Sequence, residues 1–491
     1  MLRRRFLSAA LVGLPAKAER SIQGGFVDNS HVIGHRLRDR AAFPSPKQTT
    51  RIPLLIIGAG IAGLSAAWRL DKRGFRDFLL LEMEDRVGGN SRWGENEITP
   101  YPWAAHYVPV PDKSARLVRE IMEDLGVLKN GTFDERHLCH DPQERLFLHG
   151  RWQEGLEPEI AASRRDRDQY HRFKQIMEEF EDSGEFHIPM ESGKLRRADL
   201  DRISIDDWLR RKNFDSPYLR WMVDYACRDD YGATASQTSA WAGIHYFSAR
   251  GQIDEKGPLT WPEGNGWIVR QLLKKLSPYV RATQFVHRIE QLPKGFRVLT
   301  SQTEYHADAI IFAAPTYLAP YLIEGLPPAR VFEYSPWLTA NLTLDRMPRE
   351  RGFPLAWDNV IYDSPALGYV VATHQSLRTR TDRTVWTYYW PTGNRAELLN
   401  RDWGYWKEAI LNDLARAHPD IRDCVARIDI MRLGHAMIRP APGFLFSEDR
   451  KRWLTPARNL FFANSDLSGL SLFEEAQYRG VQAATQFLQR A

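Results

Sequence analysis

Residues 54–92 read LLIIGAGIAGLSAAWRLDKRGFRDFLLLEMEDRVGGNSR. The apolar run Leu54–Ile57 has the composition of a buried parallel strand, and it leads directly into Gly58-Ala59-Gly60-Ile61-Ala62-Gly63. Leu64, Ala67, Trp68 and Leu70 then keep a helical spacing up to a stop at Gly74, and a second apolar strand, Phe78–Leu81, ends on Glu82. Each piece has a job in dinucleotide binding. Gly58 permits the tight turn, Gly60 lets the backbone approach a pyrophosphate, and Gly63 lets helix and strand pack closely. The helix start at Ile61 and Ala62 offers unpaired N–H groups and a positive dipole end to the phosphates. Glu82, nineteen residues after Gly63, is placed to accept hydrogen bonds from ribose hydroxyls. A lone GxGxxG is a weak signal, but here strand, helix and acid all stand at the required spacing.

Beyond Glu82 the chain continues Met83-Glu84-Asp85-Arg86-Val87-Gly88-Gly89-Asn90. This E-x-x-x-R-x-G-G run resembles the second glycine motif of FAD-dependent oxidoreductases, in particular the flavin-containing amine oxidase superfamily. The resemblance implies FAD rather than NAD, with Arg86, Gly88, Gly89 and Asn90 at the cofactor. Relatives usually carry Arg after the paired glycines; this chain has Asn90, with Arg92 two places later.

A chain of 491 residues is too long for one small core and predicts two or three domains. Its net charge of +5 is diluted over that length without a block of like charges, so nucleic-acid binding has no support. The three cysteines, Cys139, Cys227 and Cys424, have no metal-ligand spacing, and their odd number argues against a disulfide framework. No metal site is expected. There is also no H-E-x-x-H, G-x-S-x-G or P-loop.

Met1-Leu2-Arg3-Arg4-Arg5-Phe6-Leu7 has the arrangement of a twin-arginine signal, followed by a short apolar segment and the cleavage pattern Ala16-Lys17-Ala18. The apolar part, Phe6 to Leu14, would span about 13 Å as a helix, well short of a hydrocarbon core of about 30 Å. The reading is a signal over residues 1–18 that engages the twin-arginine export machinery, a periplasmic or otherwise exported bacterial location, and no membrane span in the mature chain.

Residues 19–50 read as an extended surface segment, and the FAD-binding domain is expected over 51–125, 258–330 and 455–491. A discontinuous α+β substrate domain is expected over 126–257 and 331–454, heavily helical in its first part. In its second part strands are predicted at 338–344, 367–373 and 385–390. The fold class is α/β, a Rossmann-type FAD domain with an amine-oxidase-like substrate domain.

Three further assignments are carried by the resemblance. Val286 falls where a relative's valine touches the adenine side of FAD. Asp466, in Ala463-Asn464-Ser465-Asp466, falls at the acid that meets the ribityl and pyrophosphate region, although relatives usually have Gly at Asn464. Leu472 and Phe473 open a last helix whose positive end faces the flavin pyrimidine, where the reduced ring carries negative charge.

Family members that oxidise amines carry a Lys near the flavin and a cage of two Tyr rings. Here the strand expected to hold the Lys reads Trp337-Leu338-Thr339-Ala340-Asn341, and Leu472 stands at a cage position. Pocket candidates are therefore His106, Trp337 and Trp390, with Asp229, Asp230 and Tyr231 read first as a helix-capping turn and second as the lining of a cationic site. The expected activity is hydride transfer from an amine, polyamines included, to non-covalent FAD, with a small-molecule substrate and oxygen or another acceptor. The alternatives are a desaturase or protoporphyrinogen-oxidase-like enzyme acting on C–C bonds and a flavin-binding partner protein without turnover.

Overall fold

The computed structural model describes residues 21–27, 30–39, 41–158, 162–250, 257–376 and 381–490. The expected signal, residues 1–18, lies outside the described residues.

Two large sheets organise the chain. The first has the strand order Val280–Arg281, Phe78–Leu81, Gln48–Ile57, Thr303–Phe312, Phe296–Thr300, Val286–Gln291, with Leu460–Phe462 beside the second half of Thr303–Phe312. Its centre is parallel: Leu54 pairs with Phe78 on one side, and Leu55 with Ile310 on the other. Leu54, Leu55 and Ile56 are wholly buried, as strands covered on both faces require. The helices Ile61–Lys72, Gly266–Leu276 and Phe473–Leu488 close one face through Leu64, Ala67, Leu272, Val481 and Ala484. Two glycines permit close approaches within this layer. A Cβ on Gly63 would stand 1.9 Å from the Gly58 carbonyl oxygen, and one on Gly480 would stand 2.1 Å from that of Ala62.

The second sheet has eight strands in the order Gln23–Phe26, Val425–Ile438, Tyr334–Leu344, Thr384–Pro391, Gly368–Val371, Asp358–Ile361, Glu144–Leu148, Arg151–Glu154. One face carries the helix Trp403–Leu414 and the other the helical layer from Arg164–Asp182 to Ala240–Ser248.

Several sequence expectations are corrected. The segment before residue 51 is no mere surface wrap. Gln23–Phe26 satisfies its backbone in parallel pairing with Arg427–Ile430, the Phe26 ring lies under the Arg432 guanidinium at 3.7 Å, and Ser30–Arg38 is helical. The first nucleotide strand already begins at Gln48. Val127, Leu128 and Phe133 pack into the same core as the glycine-loop helix, so the FAD-side layer runs past residue 125. Arg151–Glu154 is a strand, and the helices of this region start only at Arg164.

Candidate active site

The glycine loop forms where the sequence places it. Gly58 is left-handed at φ 101°, and the helix that follows starts on Gly60 without a side-chain cap. The terminal helix likewise starts on Leu472 without one. Elsewhere Ser163, Ser204, Ser239 and Asp402 each cap their helices with a side-chain oxygen. These two starts are among the helix ends without a side-chain cap, and their first N–H groups can meet a ligand. Gly88 donates its N–H to Ala59 O at 2.8 Å, which lays the second glycine motif against the first. A Cβ on Gly60 would find nothing nearer than Gly89 Cα at 4.0 Å, so this cradle is open to a pyrophosphate.

Glu82 accepts from Ala59 N at 2.9 Å and from Glu84 N at 3.0 Å. Burial nevertheless raises its pKa above the usual carboxylate range, and ribose hydroxyls would add donors to the charged form. The loop before Val286 is tied to the same turn, with Gln284 N donating to Glu82 O at 2.7 Å, so buried Val286 starts its strand beside the acid. Arg86 is exposed with no bonding partner among the described residues. Asn90 donates to Ala436 O at 2.8 Å and so links the glycine doublet to the end of the second sheet. Arg92 pairs with Glu84 and donates to Gly89 O, bracing that loop from outside. Asp466 is buried and accepts from the Tyr334 hydroxyl at 2.6 Å and from Thr316 N at 2.8 Å, which ties the terminal turn to both domains. The glycine cradle, the uncapped helix ends and the acid at the second strand fit FAD.

A cavity of about 340 Å³ opens beside this frame. His106 stands at its cofactor end, because neighbouring Ala105 donates to Asn90 O at 2.8 Å and Tyr389 donates to Ala104 O at 2.9 Å. The His106 ring stacks on Tyr389 at 4.7 Å, and burial lowers its pKa to about 4, so it is neutral in the physiological range. Tyr107, Tyr225, Tyr246 and Trp357 supply aromatic walls. Glu144, Asp229 and Asp358 supply carboxylates, and Arg250 is paired with Asp230 at 2.6 Å. Withdrawal from water is the main cause that raises Asp229 and Asp358 above the ordinary carboxylate range; next come the Asp230 charge for Asp229 and the Asp229 charge for Asp358.

Asp229 and Asp230 are therefore more than a capping turn. They occupy the last turn of the helix Pro217–Tyr231, closed by left-handed Gly232, and Asp229 lines the cavity. Trp337 backs the wall near Tyr389, 6.4 Å between ring centroids, without lining it. Trp390 is a correction: strand alternation sends Tyr389 toward the cavity and Trp390 to the opposite face, against Trp406. Sequence reading missed Glu144, Asp358, Tyr225, Tyr246, Trp357 and Arg250, which no local motif marks. Among the described residues no cluster could hold a metal, no helix is long and apolar enough to cross a membrane, and the three cysteines are free and buried.

The model of the flavin-containing amine oxidoreductase family matches residues 61–488. The chain belongs to that family. FAD is accordingly its cofactor. A Mycobacterium tuberculosis protein named as a flavin-containing monoamine oxidase is 24% identical over 274 residues, 54% of this chain and 57% of that protein. The chain thus spans little more than half of such a curated relative. Wild-type putrescine oxidase solved with putrescine superposes with a TM-score of 0.71 at 17% identity, covering 90% of this chain and all of the other. Cyclohexylamine oxidase from Brevibacterium oxydans gives 0.67 at 16% identity, covering 91% and 99%. Likeness at these identities establishes the fold and leaves the substrate to the cavity.

Proposed function

We propose that this chain is an FAD-dependent oxidoreductase that oxidises an amine at the carbon bearing nitrogen. The observation that carries the reading is the cavity wall, where carboxylates and aromatic rings meet with one guanidinium already neutralised. Such a lining attracts an organic cation by charge and by ring faces, and it penalises a large apolar substrate, which would strand buried carboxylates. FAD, when bound, supplies the acceptor for a hydride equivalent.

The protein's own part is recognition, water exclusion and proton handling. An amine arrives as an ammonium, which has no lone pair to assist loss of the adjacent C–H, so it must first give up a proton. Asp229 faces the cavity, and its raised pKa makes it a better base than an ordinary carboxylate, so it is the group assigned to take that proton. The neutral His106 at the cofactor end adds no competing charge. Loss of reactivity as Asp229 is protonated gives kcat/KM an acid limb above the usual carboxylate range. Asp229→Asn is expected to lower kcat/KM and remove that limb; an unchanged profile would take the role from Asp229.

The arginine pair and cleavage pattern of residues 1–18 support export by the twin-arginine route, and a protein that folds around FAD in the cytoplasm has reason to leave it folded. Fractionation of cells carrying Arg3→Lys with Arg4→Lys is expected to show retained precursor, and unchanged export would contradict this.

A further inference from the structure

A second, smaller cavity lies behind the first. Its volume is about 30 Å³, room for one or two waters and too little for a substrate. Pro109 and Val110 line both cavities, so the two stand back to back across that loop. The helix Ala240–Ser248 ends at the same place, where Ser248 and Ala249 line the small cavity and Arg250 the large one. On the outer side of the small cavity, His187 Nδ1 lies 3.1 Å from Ser114 Oγ and 3.4 Å from Asp112 Oδ2. The His187 and Asp112 side chains are each about a quarter exposed, which connects this side to solvent.

Glu474, on the first turn of the terminal helix Phe473–Leu488, lines the small cavity from within. It is 1% exposed, and its Oε2 has no hydrogen-bond partner among the described residues. A buried carboxyl oxygen without a partner is costly, and water in the adjoining space completes it. The ionisable groups that face Glu474 are Asp112, Glu181 and His187 around the small cavity, Arg250 and Asp230 on the side of the large one, and Glu475 on its own helix. Withdrawal from water is the largest influence and brings its pKa to about 8. Near neutral pH Glu474 therefore holds a proton that it can give up and regain, which an ordinary carboxylate does not.

We propose that Glu474 and the water-sized cavity beside it carry protons from the substrate cavity to solvent, with His187 and Asp112 at the exit. Each turnover places the ammonium's proton on Asp229, and that acid must be emptied before the next. A bound substrate stops the large cavity, so a separate exit lets the proton leave ahead of the product. In the relay, protonated Glu474 gives its proton to water in the small cavity, which passes it by His187 and Asp112 to solvent. Glu474 is then refilled from the Asp229 side. One proton enters for each that leaves, no bond between heavy atoms changes, and no electron moves.

The relayed proton comes from the amine reading, so one arm of the test is independent of it. In the first arm the holoenzyme is mixed anaerobically with butylamine in weakly buffered solution, and a pH indicator reports proton release beside flavin absorbance. The wild type is expected to release its proton in step with flavin reduction. Glu474→Gln, and Ala249→Leu, which fills the small cavity from the half-buried helix end, are expected to delay release at least tenfold behind reduction. Ala249→Leu keeps the test open if Glu474→Gln does not fold. Release in step with reduction in either folded variant would overturn the route. In the second arm, infrared spectra follow the protonated-carboxyl band that Glu474→Gln removes, after transfer of the holoenzyme into D2O near neutral pH. The wild-type band is expected to shift within the mixing time, and that of Ala249→Leu at least tenfold later. Exchange at the same rate in both would overturn the route. Flavin left oxidised by butylamine would count against the amine reading alone, since the infrared arm still decides the route.

Discussion

The glycine cradle and the acidic cavity were made in opposite ways. The cradle is local: Gln48 to Asn90 supply both glycine motifs, two strands, a helix and the acid within one run of sequence. The cavity is assembled from His106–Val110, Gln143–Glu144, Tyr225–Asp229, Tyr246–Arg250 and Trp357–Asp358, segments that meet only through sheet register and helix packing. Cofactor chemistry is written in spacing, whereas substrate chemistry is written in register. One consequence is that damage to the first should remove the cofactor, and damage to the second should change what is oxidised.

The largest expected effect is in the cradle. Gly63→Ala drives a Cβ against the Gly58 carbonyl oxygen 1.9 Å away, so that helix and turn must separate. The purified protein is expected to lose nearly all flavin absorbance while keeping its far-ultraviolet circular dichroism. A fully flavinated variant would show that the close approach is not needed.

Next comes Arg145, wholly buried, which ties Asp358–Ile361 to the parallel strand Glu144–Leu148 by donating from Nε to Asn359 Oδ1 at 2.6 Å. Arg145→Met removes a buried guanidinium from Glu350 and Asn359, and breaking such a pair costs about 3 kcal/mol or more. Thermal unfolding should register that loss, flavin content should stay near stoichiometric, and amine affinity should fall. A stable variant with unchanged amine affinity would separate Arg145 from cavity geometry.

Glu474 lies where the two regions join, on the first turn of the terminal helix, 1% exposed with one carboxylate oxygen unpartnered. Burial raises its pKa from 4.5 to about 8. Between those values the folded state holds a proton that the unfolded state lacks, so this group's contribution to stability falls as pH rises. Glu474→Gln is expected to remove that loss, worth on the order of a few kcal/mol. Its melting temperature should gain on the wild type as pH goes from 5 to 8, and a pH-independent difference would contradict the assignment.

The smallest functional effect belongs to Trp390→Phe. With its ring on the far face against Trp406, the variant should lose about 1 kcal/mol or more of stability to incomplete packing and keep kcat/KM. A selective fall in kcat/KM would restore Trp390 to the cavity.

The same contrast explains what the sequence made legible. Strand, GxGxxG, helix and Glu82 were readable because each is a neighbour of the next, and Arg86-Val87-Gly88-Gly89 narrowed the dinucleotide to FAD. His106 was found because it follows that frame closely. Trp390 was placed wrongly because aromatic content does not say which face of a strand a residue takes; Tyr389, one position earlier, has the face that matters. Glu144 and Asp358, more than two hundred residues apart, form a pair only once the parallel register is known, and nothing near either one signals it. The strand Gln23–Phe26 was hidden for the same reason, since its pairing partner lies some four hundred residues later.

The most direct test of the account is anaerobic mixing of the holoenzyme with a panel of diamines, polyamines, monoamines and a tetrapyrrole, followed by flavin absorbance. Rapid loss of the oxidised flavin band with amines is expected. A band that persists with every amine but bleaches with the tetrapyrrole would contradict it.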